Sequence, residues 1–457
     1  MMTIQVTIES VAAEESHDGI AQKAIELCAA DKWQEGMAIA KTVKAPGPDL
    51  QYIMGLAYYN GKGTDKDVKK AIGLFRLSAE GGCPEGQHQM ALAHFYGQGV
   101  EKDIAECIRW MTKSAEGGSV EAQRDLGNMY LNGIGVEKDV AASAKWYRKA
   151  AEQGDADAQT SLGVSLLNGL GVPKDETAAV EWYRKAVAQN YARAQYNLAV
   201  LYCQGRGVHK NYKEAYDLLL RAASQGLSVA ENYLGCMFRQ GTGVPQDPKK
   251  AVEWFALAAE HGDAIGQKNL ALMYRNGEGV AKDLSKAVVW YRKAADQGNA
   301  DAQSDLGTLY SRGWGVAKDD KVAVDLYIKA AAQGHVLAQH NLGCSYLKGK
   351  GVARNPKTAS RWLRLAAQQG FADAAHDLAV LYRDGEGVGV DYGESVKWFR
   401  KAAEQGHASA QHNLGCMYAN GTGVVKDDGE AVKWFRKAAR QGLKNSIDSL
   451  KRRNLSW

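Results

Sequence analysis

Residues 120–154 read VEAQRDLGNMYLNGIGVEKDVAASAKWYRKAAEQG, and this stretch decides the fold. Its first half has apolar residues at i, i+4, i+7 and i+8, the spacing of one helix face: Ala122, Leu126, Met129 and Tyr130. Its second half carries another apolar stripe: Ser143, Trp146, Tyr147, Ala150 and Ala151. The stretch therefore predicts two helices joined by a glycine-containing loop.

The G-x-G unit of that loop recurs along the chain. Its eleven copies begin at Gly61, Gly97, Gly133, Gly169, Gly205, Gly241, Gly277, Gly313, Gly349, Gly385 and Gly421. Each step is 36 residues long and contains no insertion. A fixed period of this length is the signature of a repeat protein whose units stack on one another.

The ends of the second helix are also marked in every copy. One position is always Asp or Asn, a residue type that caps helix N-termini: Asp67, Asp103, Asp139, Asp175, Asn211, Asp247, Asp283, Asp319, Asn355, Asp391 and Asp427. The C-terminus is followed by glycine, as at Gly118, Gly154 and Gly226, or once by Asn190. Both residue types tolerate the left-handed conformation that ends many helices.

Two columns predict how the helices pack. The position occupied by Gly127 is always Gly or Ala, as at Gly55, Ala91 and Gly235, which lets a neighbouring helix approach closely. Eight tryptophans share a second column: Trp110, Trp146, Trp182, Trp254, Trp290, Trp362, Trp398 and Trp434. We expect these large side chains to fill the space opposite the small ones.

This pattern resembles the Sel-one-like repeat (SLR) family, relatives of the tetratricopeptide repeat with a longer, glycine-rich loop. The resemblance covers residues 47–442 and implies an all-α fold, a right-handed α/α superhelical solenoid of eleven 36-residue helix-turn-helix repeats. It also implies a scaffold or adaptor that binds other proteins. We expect helical caps at residues 1–46 and 443–457. At the C-terminal end, Lys451 occupies the small-residue column and would block another repeat.

Composition favours a folded protein of a reducing compartment. The net charge of the 457 residues is only +5, and no block of lysine and arginine suggests nucleic-acid binding. The seven cysteines show no paired spacing. The sequence has neither a signal-peptide pattern nor an apolar window of about 18 residues, so we expect a cytoplasmic protein without membrane contact.

No catalytic motif is convincing. The G-x-G loops follow no predicted strand, so they do not match the phosphate-binding motifs that they superficially resemble. Ser345-Tyr346-Leu347-Lys348 fits the S-x-x-K pattern of penicillin-binding proteins, but S-D-N and K-T-G companions are missing. A penicillin-binding or β-lactamase-like enzyme, related to cysteine-rich SLR proteins, is the alternative function. Those relatives carry a cysteine pair in each repeat, which this chain does not, so we expect no enzyme and no cofactor.

Histidines and cysteines share columns near the C-terminal end. His340, His376 and His412 occupy one column, and Cys344 and Cys416 follow one helical turn after two of them. A His and a Cys at i and i+4 supply only two metal ligands. Because packed helices lie about 10 Å apart, we expect successive repeats not to share one ion. The sequence therefore predicts contact residues here and no metal site.

The partner site is expected on the side of each first helix that faces away from the core, which lines the concave face of such superhelices. The residues predicted to bind are His88, Leu92, Phe95, Arg124, Leu131, Tyr196, Arg239, Lys268, Arg275, His340, His376, Arg383 and His412. Apolar anchors followed by positive charge suit an extended peptide or a helix with acidic residues. The scaffold would then be a regulatory adaptor or an immunity protein that sequesters a partner. The alternative is a moderately apolar face that binds nothing tightly.

Overall fold

Every regular element in residues 17–456, the part of the chain that our computed structural model describes, is an α-helix. The described residues up to Gln225 form one compact unit, and those from Gly226 onward form a second. Within each unit the helices pair as predicted, and each repeat consists of a first helix, the G-x-G loop and a second helix. None of these helices has the length and apolar character that a membrane crossing requires.

The first unit contains α1 and α2 followed by repeats 1 to 5. Its helices are α1 (His17–Ala29), α2 (Trp33–Ala40), α3 (Pro48–Asn60), α4 (Val68–Glu80), α5 (Pro84–Tyr96), α6 (Ile104–Glu116), α7 (Val120–Asn132), α8 (Val140–Glu152), α9 (Ala156–Asn168), α10 (Glu176–Ala188), α11 (Ala192–Gln204) and α12 (Tyr212–Ala223). Repeat 1 is the pair α3 and α4, and repeat 5 is the pair α11 and α12. The helices α1 and α2 pack on each other and on α3.

The second unit contains repeats 6 to 11 and one short final helix. Its helices are α13 (Ser228–Gln240), α14 (Pro248–Glu260), α15 (Ala264–Asn276), α16 (Leu284–Asp296), α17 (Ala300–Arg312), α18 (Asp320–Ala332), α19 (Val336–Lys348), α20 (Pro356–Gln368), α21 (Ala372–Asp384), α22 (Tyr392–Glu404), α23 (Ala408–Asn420), α24 (Asp428–Arg440) and α25 (Lys444–Lys451). Repeat 6 is the pair α13 and α14, and repeat 11 is the pair α23 and α24.

The helix boundaries follow from the predicted caps. The side chain of Asp139 accepts hydrogen bonds from the backbone N–H groups of Ala141 and Ala142, at 2.8 and 3.0 Å. An Asp or Asn caps each of the other second helices in the same way, for example Asp175 at Ala178 N–H. The first helices end at the first glycine of the loop, such as Gly133 with φ +70°. The Asp and Asn residues predicted to cap the N-termini of the second helices are confirmed in that role.

The close approach predicted for the small-residue column is confirmed, but its large partner is not the tryptophan. A Cβ on Gly235 would lie 2.6 Å from the ring of Phe255, which is fully buried. Trp254, one position earlier, is only half-buried. Successive helical residues point about 100° apart, so only one of the two can face the paired helix. The expectation that the tryptophan column fills this space is wrong in this respect.

Glutamines add a hydrogen-bonded ladder between repeats. Gln123, which is buried, donates to the carbonyl of Ala115 at 3.0 Å. Gln153, at the end of the next second helix, donates to Gln123 Oε1 at 2.9 Å and to Gly118 O at 3.1 Å. In repeat 6 an ion pair replaces this neutral rung, with His261 Nδ1 2.9 Å from the carboxylate of buried Glu231.

The final helix is shorter than the helices of the repeats. The helix α25 has eight residues, against thirteen in α23. Leu450 is fully buried against Phe435 and Ala431, whereas Lys451, in the small-residue column, is exposed. The boundaries proposed for the two caps, 1–46 and 443–457, remain predictions. Residues 1–16 and 457 lie outside the described residues.

Candidate functional site

All thirteen residues of the predicted concave face lie on first helices. Twelve of them are partly exposed, and His88 is buried, with 8% of its surface exposed. We call this set the first-helix face. Its apolar and charged members differ in their surroundings.

The cations of the first-helix face in the second unit are already paired. Arg239 contacts both carboxylate oxygens of Glu278, at 3.0–3.2 Å. Lys268 lies 3.2 Å from Asp301, and Arg275 lies 2.9 Å from Asp305. Each carboxylate belongs to the following repeat. The predicted basic stretch is therefore largely neutralised within the protein, which weakens the expectation of an acidic partner.

The same kind of pairing occurs elsewhere on the first-helix face. Arg124 Nη1 lies 2.9 Å from Asp155, the residue that caps the next first helix. His88 Nε2 lies 3.0 Å from Asp125. Arg383 instead pairs with its neighbour Asp384, at 2.7 Å. Much of the chemical variation in these columns thus serves contacts between neighbouring repeats.

Apolar side chains form a strip in repeats 2 to 4 of the first unit. The apolar strip consists of Phe95, Tyr96, Leu131, Ile134, Leu167 and Leu170. Tyr96 is 63% exposed, and Ile134 and Leu170 are each 39% exposed. The rings of Phe95 and Tyr96 meet edge to face, with centroids 5.0 Å apart. Phe95 and Leu131 were predicted from the sequence as binding residues. Tyr96, Ile134 and Leu170, which have the largest exposed fractions in the strip, were not.

The repeat geometry indicates which members of the apolar strip lie near each other. In repeat 1, Tyr59 occupies the position that Phe95 has in repeat 2, and its hydroxyl donates to Gln98 at 2.8 Å. Gln98 is the middle residue of the next G-x-G loop, the position that Ile134 has one repeat later. From the same 36-residue offset we expect Phe95 to lie near Ile134, and Leu131 to lie near Leu170. The signal missed in the sequence is this apolar middle residue of two successive loops.

A second cluster joins repeats 9 and 10. His340 Nε2 lies 3.1 Å from Asp377 Oδ2 and 3.5 Å from Cys344 Sγ, and Cys344 Sγ lies 3.8 Å from Asp377 Oδ2. All three residues are partly exposed. The sequence indicated only two donors here, His340 and Cys344, and missed a third from the next repeat, because Asp377 lies 37 residues after His340 and contacts its ring. Helix axes are separated by the packing distance, but side chains that point toward each other meet.

In this cluster the pKa of His340 and the pKa of Asp377 each depend on the neighbouring side chain. Burial alone would lower the pKa of His340, but the hydrogen bonds with Asp377 and Cys344 outweigh burial and raise that pKa to about 10. Burial would raise the pKa of Asp377, yet hydrogen bonds from His340 and His376 hold it well below its usual range. At neutral pH the cluster therefore contains the ionised carboxylate of Asp377 beside the protonated imidazole of His340.

The histidines that follow have different surroundings. His376 Nδ1 lies 3.1 Å from Asp377 Oδ1, and its ring stacks on that of His407 at 4.6 Å. His412 lies 3.5 Å from Cys416, but its Nδ1 contacts the Ser446 hydroxyl at 2.9 Å. The His–Cys pair of repeat 11 thus has no carboxylate beside it of the kind that Asp377 supplies in repeat 9.

The S-x-x-K residues are not arranged as a catalytic pair. Ser345 Oγ donates to the backbone carbonyl of Asn341 at 2.9 Å. Lys348 is exposed at the end of α19, and within the described residues no hydrogen bond joins it to Ser345. A serine nucleophile needs a base within hydrogen-bond reach, so this geometry does not support the alternative enzymatic function.

Comparison with protein-family models matches the Sel1 repeat eleven times without a break, from residues 48–83 to residues 408–443. The chain belongs to the Sel1 repeat family. One solved structure that resembles it is the crystal structure of a protective antigen present in uropathogenic Escherichia coli strains, which has an SLR fold. The sequence of that antigen is 34% identical to the sequence of this chain. That match has a TM-score of 0.67 and covers 97% of this chain and 91% of the antigen.

A second Sel1 repeat structure is similar over part of the chain. The Sel1 repeat protein from Oxalobacter formigenes is also 34% identical, with a TM-score of 0.53. The alignment covers 67% of this chain and 90% of that protein. No curated, functionally described protein matches the sequence. The relatives thus establish the repeat and its fold.

Proposed function

We propose that this Sel1 repeat protein is a scaffold that binds a partner protein through the apolar strip of repeats 2 to 4. The observation that carries the proposal is the exposure of Tyr96, Ile134 and Leu170 at similar positions on three consecutive repeats. Exposed apolar residues are common singly, but a contiguous group marks an interaction surface. The core does not require these side chains, because other repeats have Lys62, Thr242 or Thr422 in the loop position of Ile134.

The chemistry of the strip favours an apolar peptide or helix face as the ligand. Aromatic anchors dominate interface energies, because they bury large areas and lose few torsions on binding. Phe95 and Tyr96 supply two such rings at one end of the strip. Both a regulatory adaptor and an immunity protein that sequesters its partner would use such a surface, and the identity of the bound protein distinguishes them. Neither role requires a catalytic group.

The test compares two exposed apolar sites in affinity purification. The triple variant Tyr96→Ser, Ile134→Ser and Leu170→Ser removes the exposed part of the strip, and Trp314→Ser removes an equally exposed residue (43%) from a loop of repeat 8. We expect the triple variant to lose a protein that the wild type and Trp314→Ser both retain. With that protein purified, Phe95→Ala should weaken binding by about 2 kcal/mol, mainly through faster dissociation.

The helical content of the variants serves as the control. Circular dichroism should give the same helical content for all variants, because the three serines replace exposed side chains. Capture of the same proteins by the wild type and the triple variant would show that the strip is not the binding surface.

A further inference from the structure

We infer that His340, Cys344 and Asp377 form a binding site for a single divalent transition-metal ion, with Zn²⁺ as the preferred ion. The three side chains contribute one nitrogen, one sulfur and one oxygen, all within 4.8 Å of one another. A thiolate, an imidazole and a carboxylate are the ligand types that zinc uses in proteins. Binding at neutral pH would therefore release the protons of the His340 imidazolium and the Cys344 thiol to solvent. The site does not depend on the apolar strip, which lies in the other unit.

The distances between the three donor atoms fit tetrahedral coordination. Zinc binds sulfur at about 2.3 Å and nitrogen or oxygen at about 2.0–2.2 Å, which separates tetrahedral ligand atoms by about 3.3–3.6 Å. The separations in the protein are 3.1 Å for His340 and Asp377, 3.5 Å for Cys344 and His340, and 3.8 Å for Cys344 and Asp377. Shifts of a few tenths of an ångström would therefore bring all three atoms onto one ion.

The elements of the site make it locally preorganised. His340 and Cys344 are one turn apart on α19, so their side chains lie on the same face of one rigid helix. Asp377 lies on α21, the first helix of the next repeat, and its second carboxylate oxygen contacts His376 Nδ1 at 3.1 Å. A hydrogen bond to the oxygen that does not face the metal is the kind of outer contact that orients ligating carboxylates.

Other repeats contain incomplete versions of the same arrangement. Repeat 2 has the His88–Asp125 pair at 3.0 Å, but Leu92 stands at the position of the thiol. Repeat 11 has His412 beside Cys416 at 3.5 Å, but Ser449 stands where the carboxylate would be. The histidine–aspartate pair therefore serves as an ordinary contact between repeats. In the sequence only repeat 9 combines all three donors at these positions.

The site would act as a cross-link between two repeats with one open coordination position. Three protein ligands leave a fourth position for water or for a ligand group of a bound molecule. The side chains of His340 and Asp377 are 15% and 32% exposed, so that position is accessible from solvent. Because the ligands come from both repeats, an ion bound to the folded state would stabilise their junction.

The experiment uses Co²⁺ as a spectroscopic probe and Zn²⁺ as its competitor. The purified full-length chain, reduced and freed of metal with a chelator, is titrated with Co²⁺. We expect one equivalent to bind per chain with a thiolate-to-cobalt charge-transfer absorption, and Zn²⁺ to displace it. Cys344→Ala should abolish that absorption and weaken Zn²⁺ binding at least about 100-fold, since a direct ligand matters more than an outer contact.

The matched controls separate this site from other thiols. Cys416→Ala removes the thiol of the incomplete pair in repeat 11 and should leave the absorption and the affinity unchanged. Asp377→Asn should weaken Zn²⁺ binding while circular dichroism reports an intact helical fold. If Asp377→Asn does not fold, Cys344→Ala decides alone, because it shortens a partly exposed side chain without leaving a charge unpaired.

A thermal measurement provides an independent readout. Zn²⁺ should raise the unfolding midpoint of the wild type and of Cys416→Ala, but not that of Cys344→Ala. Absence of thiolate-to-cobalt absorption in the wild type would overturn the inference. Absorption that persists in Cys344→Ala would overturn it as well, because another cysteine would then be the ligand.

Discussion

At the scale of single residues, the two glycines of each loop have different tasks. Both Gly169 and Gly171 have positive φ, at +69° and +71°. A Cβ on Gly169 would meet only ordinary contacts, the nearest being Lys174 Cβ at 3.4 Å, whereas one on Gly171 would overlap the carbonyl of Val140 in the preceding repeat. The second glycine therefore allows the loop to rest on the start of the neighbouring second helix.

This difference gives the first stability prediction. Gly169→Ala should lower the free energy of unfolding by about 1 kcal/mol, because alanine is strained in the left-handed region. Gly171→Ala should cost about 1–3 kcal/mol more, because the backbone of Val140 must also move. Urea unfolding of the two variants tests the comparison. Equal decreases in the free energy of unfolding for the two variants would mean that the loop can move away from α8 without a loss of stability.

The residue scale also shows what the sequence could not reveal. The small-residue column and the helix caps were predictable, because each depends on residues within one repeat. The choice between Trp254 and Phe255 was not, because both are large, apolar and adjacent. The ion pair of Arg239 with Glu278 and the contact of His340 with Asp377 join residues 39 and 37 positions apart. Such offsets depend on how far one repeat is displaced along the next, which a periodic pattern does not specify.

At the scale of helices and their ladder, one rung is unusual. The rung formed by Gln153 and Gln123 is neutral, as are its equivalents at Gln297 with Gln267 and Gln441 with Gln411. In repeat 6, Glu231 is only 2% exposed and depends on His261 for its hydrogen bonds at 2.9 Å. A buried carboxylate that loses its partner is costly.

Substitutions at this rung test its role. His261→Ala should destabilise the protein by about 3 kcal/mol, because it leaves the buried charge of Glu231 without this partner. The double variant Glu231→Gln and His261→Gln restores the neutral rung and should recover wild-type stability or exceed it. The midpoint of urea unfolding measures both effects. A double variant less stable than His261→Ala would show that the neutral ladder is not interchangeable with the ion pair.

At the scale of the whole molecule, the hydrogen bonds described above between repeats reach only to the next repeat. The glutamine ladder spans 30 to 35 residues, and the bond from Tyr59 to Gln98 spans 39. Stability in such a protein is close to a sum of repeat terms and nearest-neighbour terms. The apolar strip lies in the first unit and the His340 cluster in the second. Because coupling is mainly between neighbouring repeats, we expect a substitution in one of them to leave ligand binding at the other unchanged.

Local coupling predicts how far damage should travel. Phe255→Ala removes a fully buried ring that faces Gly235 and should cost about 3–5 kcal/mol. Trp254→Ala, a matched control one residue away, removes a half-buried ring and should cost less. Hydrogen exchange on the full chain should show lost protection in repeats 6 and 7, fading toward repeat 11, because each repeat stabilises mainly its neighbour. Loss confined to α13 and α14 would contradict coupling between repeats, and a uniform loss over residues 226–457 would show that the second unit unfolds as one cooperative body.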